Sequence, residues 1–146
     1  MFKGYFTGEG TRRVPYLTCN FRFPGAPHLG TASVDLLVDT GAESTILARR
    51  VGESIGLDIA TLPDGGISTG IGGATATRTV ESTISVQDYS ITLWVRIQES
   101  HHPIPSVLGR DFMANFALFM EQSTGRILFL DRADITEHGL TNLGNS

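Results

Sequence analysis

Val34-Asp35-Leu36-Leu37-Val38-Asp39-Thr40-Gly41-Ala42-Glu43-Ser44-Thr45 decides how this chain is read. Val34, Leu36 and Val38 alternate with Asp35, Leu37 and Asp39, a period of two that predicts a β-strand. Thr40-Gly41 ends the strand, since glycine permits backbone conformations that other residues avoid. Asp39 is thereby expected at the strand's mouth, a carboxylate on a rigid element beside an apolar wall and so placed to do chemistry. Asp and Gly are also ordinary turn formers, so the triplet takes its meaning from the rest of the chain.

On the N-terminal side, Leu17, Cys19, Phe21 and Phe23 alternate with Thr18, Asn20 and Arg22, which predicts a second strand with one buried face. Pro24-Gly25-Ala26-Pro27 ends it, and the two strands read as a β-hairpin. On the C-terminal side, Leu47, Val51 and Ile55 fall at helical spacing within Thr45–Leu57, weakened by Gly52 and Gly56, and predict one or two short helical turns.

Five glycines then fall in the nine positions from Gly65 to Gly73. They predict a mobile loop at the tip or shoulder of a hairpin. A phosphate cradle is the rival reading, but no Gly-Lys-Ser/Thr follows and no helix begins there. Val80–Val86 and Ile91–Ile97 alternate as strands about a turn at Gln87-Asp88. His101 and His102 read as a solvated loop, because adjacent histidines seldom point at one metal. Arg110–Phe116 suits a short helix with Phe112 and Phe116 on one side. Leu118–Met120 and Ile127–Leu130 form a last hairpin whose unbroken apolar character asks for cover on both faces, one of which a partner subunit could supply.

At 146 residues the chain reads as a single domain with its core at about 14–131 and a loose polar tail over 133–146. A net charge of -4 gives no electrostatic footprint for nucleic acid. Cys19 is the only cysteine, which excludes an intrachain disulfide and a four-cysteine zinc site and suits a reducing, cytoplasmic setting. No signal-peptide core is visible at the start, and no apolar run approaches the ~20 residues of a membrane helix.

Taken together, Asp39-Thr40-Gly41-Ala42, Gly70-Ile71-Gly72-Gly73 on a hairpin, and Val107-Leu108-Gly109-Arg110-Asp111 before a short helix resemble, in kind and order, the retropepsins. These are the single-domain aspartic proteases of retroviruses and their cellular relatives, and the resemblance runs from about Val34 to Leu130. The added Leu118–Leu130 hairpin is similar to the retropepsin-like domain of DNA-damage-inducible proteins. The resemblance implies an all-β, closed-barrel acid-protease fold with a hairpin flap, one short C-terminal helix and a homodimeric state. It makes Asp39 the catalytic aspartate and gives Thr40 the hydrogen bonds between subunits. Gly41 would present its carbonyl to a peptide, with Ala42, Glu43, Gly70, Ile71, Gly72, Gly73 and Val107 around the substrate. Arg110 would pair with Glu43 to brace the loop, and Asp111 would be structural. Thr69 stands where viral flaps usually carry glycine, and Ala74 replaces a bulky residue.

The chemistry so implied needs two carboxylates about 3 Å apart sharing one proton, because like charges that close cannot both ionise. The chain holds one Asp-Thr-Gly, so the second carboxylate must be Asp39 of another copy, and an isologous homodimer follows. Neither metal nor organic cofactor is required, and the substrate is a peptide or protein. A catalytically inactive dimeric peptide-binding module of the same fold is the alternative. A glycine-loop nucleotide hydrolase lacks its lysine and metal carboxylate.

Overall fold

A computed structural model describes residues 1–70 and 73–145. In chain order the strands and helices are β1 (Phe2–Lys3), β2 (Tyr5–Thr7), β3 (Val14–Arg22), β4 (Ala32–Val38), β5 (Ile46–Leu47), α1 (Arg49–Ile55), β6 (Asp64–Gly70) and β7 (Gly73–Val86). There follow β8 (Tyr89–Gln98), β9 (Val107–Leu108), α2 (Arg110–Met113), β10 (Ala117–Glu121), β11 (Arg126–Leu130) and α3 (Arg132–Glu137).

The alternating stretches become strands with one face in the core. Leu17, Cys19 and Phe21 on β3 and Val34, Leu36 and Val38 on β4 are buried, while Thr18, Asn20, Ser33 and Asp35 between them are exposed. One sheet runs β2-β3-β4-β9-β5-β8-β7-β6. β3 pairs with β7 as well, Phe21 opposite Ile84, so the run from β3 round to β7 closes into a barrel. Each fully buried aliphatic or aromatic side chain inside it contributes about 1.5–3 kcal/mol relative to exposure. β6 is left as an edge strand.

A second sheet, β1-β11-β10, covers one end, with Phe2 opposite Phe129. Under it lies an aromatic cluster: Phe116 is 4.9 Å from Phe2 and 4.6 Å from Tyr89 between ring centroids, both edge to face, and Phe2 stacks on Phe129 at 5.0 Å. Phe112 and Phe116 do share a side, 5.5 Å apart.

Four expectations need correction. Ile46–Leu47 is a strand, not helix, because Ile46 pairs with both Arg96 and Val107 across the barrel seam; the helix starts only at Arg49. The glycine-rich stretch up to Gly70 is strand, not loop: the expected hairpin extends through it, β6 and β7 pairing from Asp64–Arg78 to Gly70–Gly73 with one register shift at Asp64–Gly66. The packed body starts before residue 14, since Phe2 is buried and Gly4 N–H donates to the Ile127 carbonyl at 3.0 Å. The polar tail carries α3, whose N-cap Asp131 accepts from Asp134 N–H (2.8 Å) while the Asp134 carboxylate accepts from Asp131 N–H (3.0 Å), a reciprocal capping box.

Cys19 is 1% exposed, and burial pushes its thiol up to about 12. A thiol-specific disulfide reagent at pH 8 is expected to leave the native protein unlabelled and to modify one thiol per chain once it is unfolded in denaturant; rapid stoichiometric labelling of the native protein would contradict the packing described.

Candidate active site

Asp39 follows β4 directly and is half-buried. Its N–H donates to the Leu108 carbonyl at 3.2 Å, which ties it to β9. Its Oδ1 accepts from Gly41 N–H at 2.9 Å, and its carbonyl accepts from Ala42 N–H at 3.1 Å. These two bonds turn the chain within the Asp-Thr-Gly triplet. Gly41 does not take a positive φ, so an unusual backbone shape is not its service here. A Cβ at that position would lie 3.2 Å from Asp39 Oδ1, so glycine leaves room for the carboxylate to reach the N–H.

The segment 106–111 holds this turn from the other side. Gly109 lies so close to Ser44 that a Cβ on it would be 2.4 Å from the Ser44 carbonyl carbon and 2.6 Å from its oxygen, a contact no other residue could make. Next to it, Thr45 is fully buried: its hydroxyl donates to Asp111 Oδ1 at 2.8 Å and accepts from Gly109 N–H at 3.1 Å, and its own N–H donates to both Asp111 oxygens at 3.0 Å. Asp111 Oδ1 also accepts from Phe112 N–H at 2.9 Å at the start of α2. Arg110 N–H donates to the Ala42 carbonyl at 2.8 Å and Asp111 N–H to the Glu43 carbonyl at 3.2 Å. Ala48 N–H donates to Ser106 Oγ at 2.9 Å.

The expected Glu43–Arg110 pair is not formed among the described residues. The Arg110 guanidinium instead donates to the Thr40 carbonyl at 2.9 Å, while Glu43 is exposed and engaged through its backbone. A carbonyl at the turn offers arginine a neutral acceptor already in place, whereas an exposed Glu43 would have to give up solvation and rotamer freedom to meet it.

Leu37 precedes Asp39 by two residues and therefore shares its side of the strand. Its register partners are Tyr16 on β3 and Val107 on β9, and Tyr5 on β2 pairs in turn with Tyr16, the rings stacked 5.9 Å apart. All four are partly exposed, whereas Leu17, Leu36 and Leu108 beside them are buried. They form an apolar and aromatic row next to Asp39, of which sequence reasoning named only Val107.

Asp39, Thr40, Gly41, Ala42, Glu43, Val107, Arg110 and Asp111 thus come together. Gly70 and Gly73 face each other across the β6–β7 hairpin, with no hydrogen bond to the Asp39 turn among the described residues; Ile71 and Gly72 lie outside the described residues. Thr45 and Ser106 were missed. Their signal was available: a hydroxyl followed by Ile46-Leu47-Ala48, or set beside Val107-Leu108, is a polar group in an apolar run, and once buried it must find a partner. His101 and His102 are exposed coil. Among the described residues no group of three or more His, Cys, Asp or Glu side chains could hold a metal, and no helix is long and apolar enough to cross a membrane.

A closed barrel with an aspartate turn braced by a glycine–helix segment is the arrangement of the retropepsin-like fold. The family model described as aspartyl protease matches residues 28–112, more than half of the chain, and the chain belongs to that family. Among solved structures it is similar to the EIAV protease in complex with an inhibitor, at 19% identity and a TM-score of 0.56 over 74% of this chain and 92% of that one. It is likewise similar to a retropepsin-like aspartic protease from Rickettsia conorii, at 13% identity and 0.57 over 88% and 94%. The retroviral protease-like domain of Ddi1 from Leishmania major matches at 16% and 0.51 over 83% and 97%. At such identities these structures speak for the fold alone. A search of curated proteins found no match.

Thr45→Val keeps the volume but strands Gly109 N–H and removes a donor from Asp111, and is expected to lower stability by roughly 1–3 kcal/mol, with Thr45→Ser retaining most of it. Urea unfolding checks this; a valine variant as stable as wild type would show that the network contributes nothing.

Proposed function

We propose that the protein is an endopeptidase in which two Asp39 carboxylates, one from each subunit of a homodimer, activate a water for attack on a peptide bond. The observation that carries this reading is Asp39 itself: among the described residues its carboxylate accepts only from Gly41 N–H, on a turn made rigid by its neighbours. One aspartate takes the proton of the attacking water and the other protonates the substrate carbonyl, the pair holding a single proton between them. Placing the turn with a second copy of itself would complete this dyad. No metal or organic cofactor has a part in the scheme.

Further features support it. Thr40 is exposed beside Asp39, available for hydrogen bonds to the facing subunit. Gly41, Ala42 and Glu43 continue the turn where a peptide backbone would lie, and the row of Leu37, Val107, Tyr16 and Tyr5 offers an apolar wall for a large substrate side chain. The β6–β7 hairpin with Gly70 and Gly73 would act as the flap, the free backbone groups of the β6 edge pairing with an extended peptide. The terminal β1-β11-β10 sheet would provide the isologous interface, with β10 as an open edge and Phe119 and Met120 about two-fifths exposed (39% and 42%).

Asp39→Asn is expected to reduce hydrolysis of an unfolded polypeptide such as casein by roughly a hundred- to ten-thousandfold while thermal melting and sedimentation stay unchanged, because the amide can neither share the dyad proton nor accept one from water. A variant that kept about a tenth of wild-type turnover or more would take Asp39 out of the mechanism.

Activity per chain is expected to fall on dilution through the dimer dissociation constant and to recover on concentration, since a single chain holds half of the dyad. Constant specific activity down to concentrations where sedimentation finds only monomer would rule the shared site out.

A further inference from the structure

Away from the Asp39 turn, a cavity of about 440 Å³ opens between the turn at His28-Leu29, the Gly56–Pro63 segment after α1, and the face of β7 and β8 that carries Thr79, Glu81 and Trp94. Leu29, Leu57, Leu62 and Val80 give it an apolar lining. Trp94, the only tryptophan of the chain, stands 61% exposed at its wall. An indole so exposed beside a concave apolar surface is a feature that marks binding sites more than plain surface.

The lining is acidic, while Arg96 stands outside it on the same sheet face, opposite Thr79 and two residues from Trp94. Glu81 is the register partner of Trp94 across β7 and β8, so carboxylate and indole stand side by side on one sheet face, with Cβ atoms about 5 Å apart. Asp58 is a second carboxylate in the lining. Neither is in an ion pair among the described residues, and no lysine or arginine is among the lining residues; His28 is the one basic side chain there.

We propose that this cavity binds a small, freely diffusing organic cation with an alkylated ammonium head. The negative face of an indole attracts a cation, tryptophan most strongly of the aromatic side chains, and Glu81 and Asp58 supply counter-charge. The methyl groups of an alkylated head can pack on the leucines, whereas a bare metal ion would need about six or more oxygen ligands, which this lining does not offer. A phosphocholine headgroup fits less well, because its phosphate would face the two carboxylates of the lining, with Arg96 standing outside it. The volume lies at the lower end of the roughly 300–1,000 Å³ typical of small-molecule pockets. The site stands independently of the peptidase reading.

Because the chain has one indole, its emission reports the site directly. The test titrates the whole protein at pH 8 with choline and with 3,3-dimethyl-1-butanol, which has the same shape without the charge. Choline is expected to change Trp94 emission saturably at a half-point on the order of millimolar, and the neutral analogue to be weaker by roughly tenfold. Glu81→Gln should weaken choline by about three- to tenfold and leave the neutral analogue unchanged. Trp94→Leu, checked for an unchanged fold by circular dichroism, should abolish broadening of the choline methyl resonance in proton NMR. Phosphatidylcholine vesicles should sediment without the protein. The proposal is overturned by equal binding of the two probes, by indifference of choline binding to Glu81→Gln or to Trp94→Leu, by unchanged emission at about 100 mM choline, or by co-sedimentation with the vesicles. None of these readouts uses peptide hydrolysis, so a failure here is distinct from a failure of the catalytic scheme.

Discussion

The approach of Gly109 to Ser44 is the constraint on which the site depends. Two loops from opposite parts of the chain pass closer than any side chain would allow, and the closeness lets Thr45 reach Asp111 and Gly109 at once. Hydrogen bonds of this kind gain only about a kilocalorie each net, but breaking one inside a buried network leaves a desolvated group behind, and that asymmetry gives the crossing a single low-energy arrangement. The strand holding Asp39 is gripped on its β9 side by the same segment, through Leu37 N–H to the Ser106 carbonyl (2.9 Å) and Asp39 N–H to Leu108. The position of one carboxylate is thus set by backbone and hydroxyl groups that take no part in its chemistry.

Two aspartates of the same region show how surroundings divide roles. Asp111 accepts from Thr45 through its hydroxyl and its N–H and from Phe112 N–H, so its charge is occupied in joining α2 to the loop. Asp39 accepts from Gly41 N–H alone among the described residues and keeps most of its acceptor capacity open on the exposed side of the turn. The first is a structural anion in the first turn of α2 and the second an available one at the end of β4. The barrel allows this contrast because its closure through β3 and β7 buries the apolar faces completely and leaves the polar ends of β4 and β9 side by side at its rim.

Closure also decides where the sheet stays open. β6 and β10 are two of the four edge strands, next to glycine-rich and apolar surface respectively, and an open edge is a liability unless something covers it. In the proposed scheme a peptide covers the first and a second copy of the chain the second. The cavity beside Trp94 lies between elements that the barrel brings together from residues far apart in sequence, and belongs to neither edge.

Local pattern was enough for the barrel's main strands. The period of two in Leu17–Phe23, Val34–Val38, Val80–Val86 and Ile91–Ile97 reports which face is buried whatever the partner strand, and the Asp-Thr-Gly turn and the Gly109-Arg110-Asp111 segment, both singled out by sequence, do meet in the fold. Elements whose state is set by distant partners were misread. Ile46–Leu47 has helical spacing with Val51 and Ile55 yet pairs with Arg96 and Val107, because a ladder across the seam outweighs a weak local propensity broken by two glycines. Phe2 showed nothing of its burial until β11 was beside it, and the α3 tail has no apolar stripe, its start being fixed by the Asp131–Asp134 capping box. Arg110 was legible as a brace but not its acceptor, since the choice between Glu43 and the Thr40 carbonyl depends on how the turn itself bends. What the sequence determined by itself was periodicity and the place of the candidate carboxylate at the end of a strand; which polar atoms meet, and which faces remain open, was decided only when residues some sixty positions apart, such as Thr45 and Asp111 with a separation of 66, were pressed together.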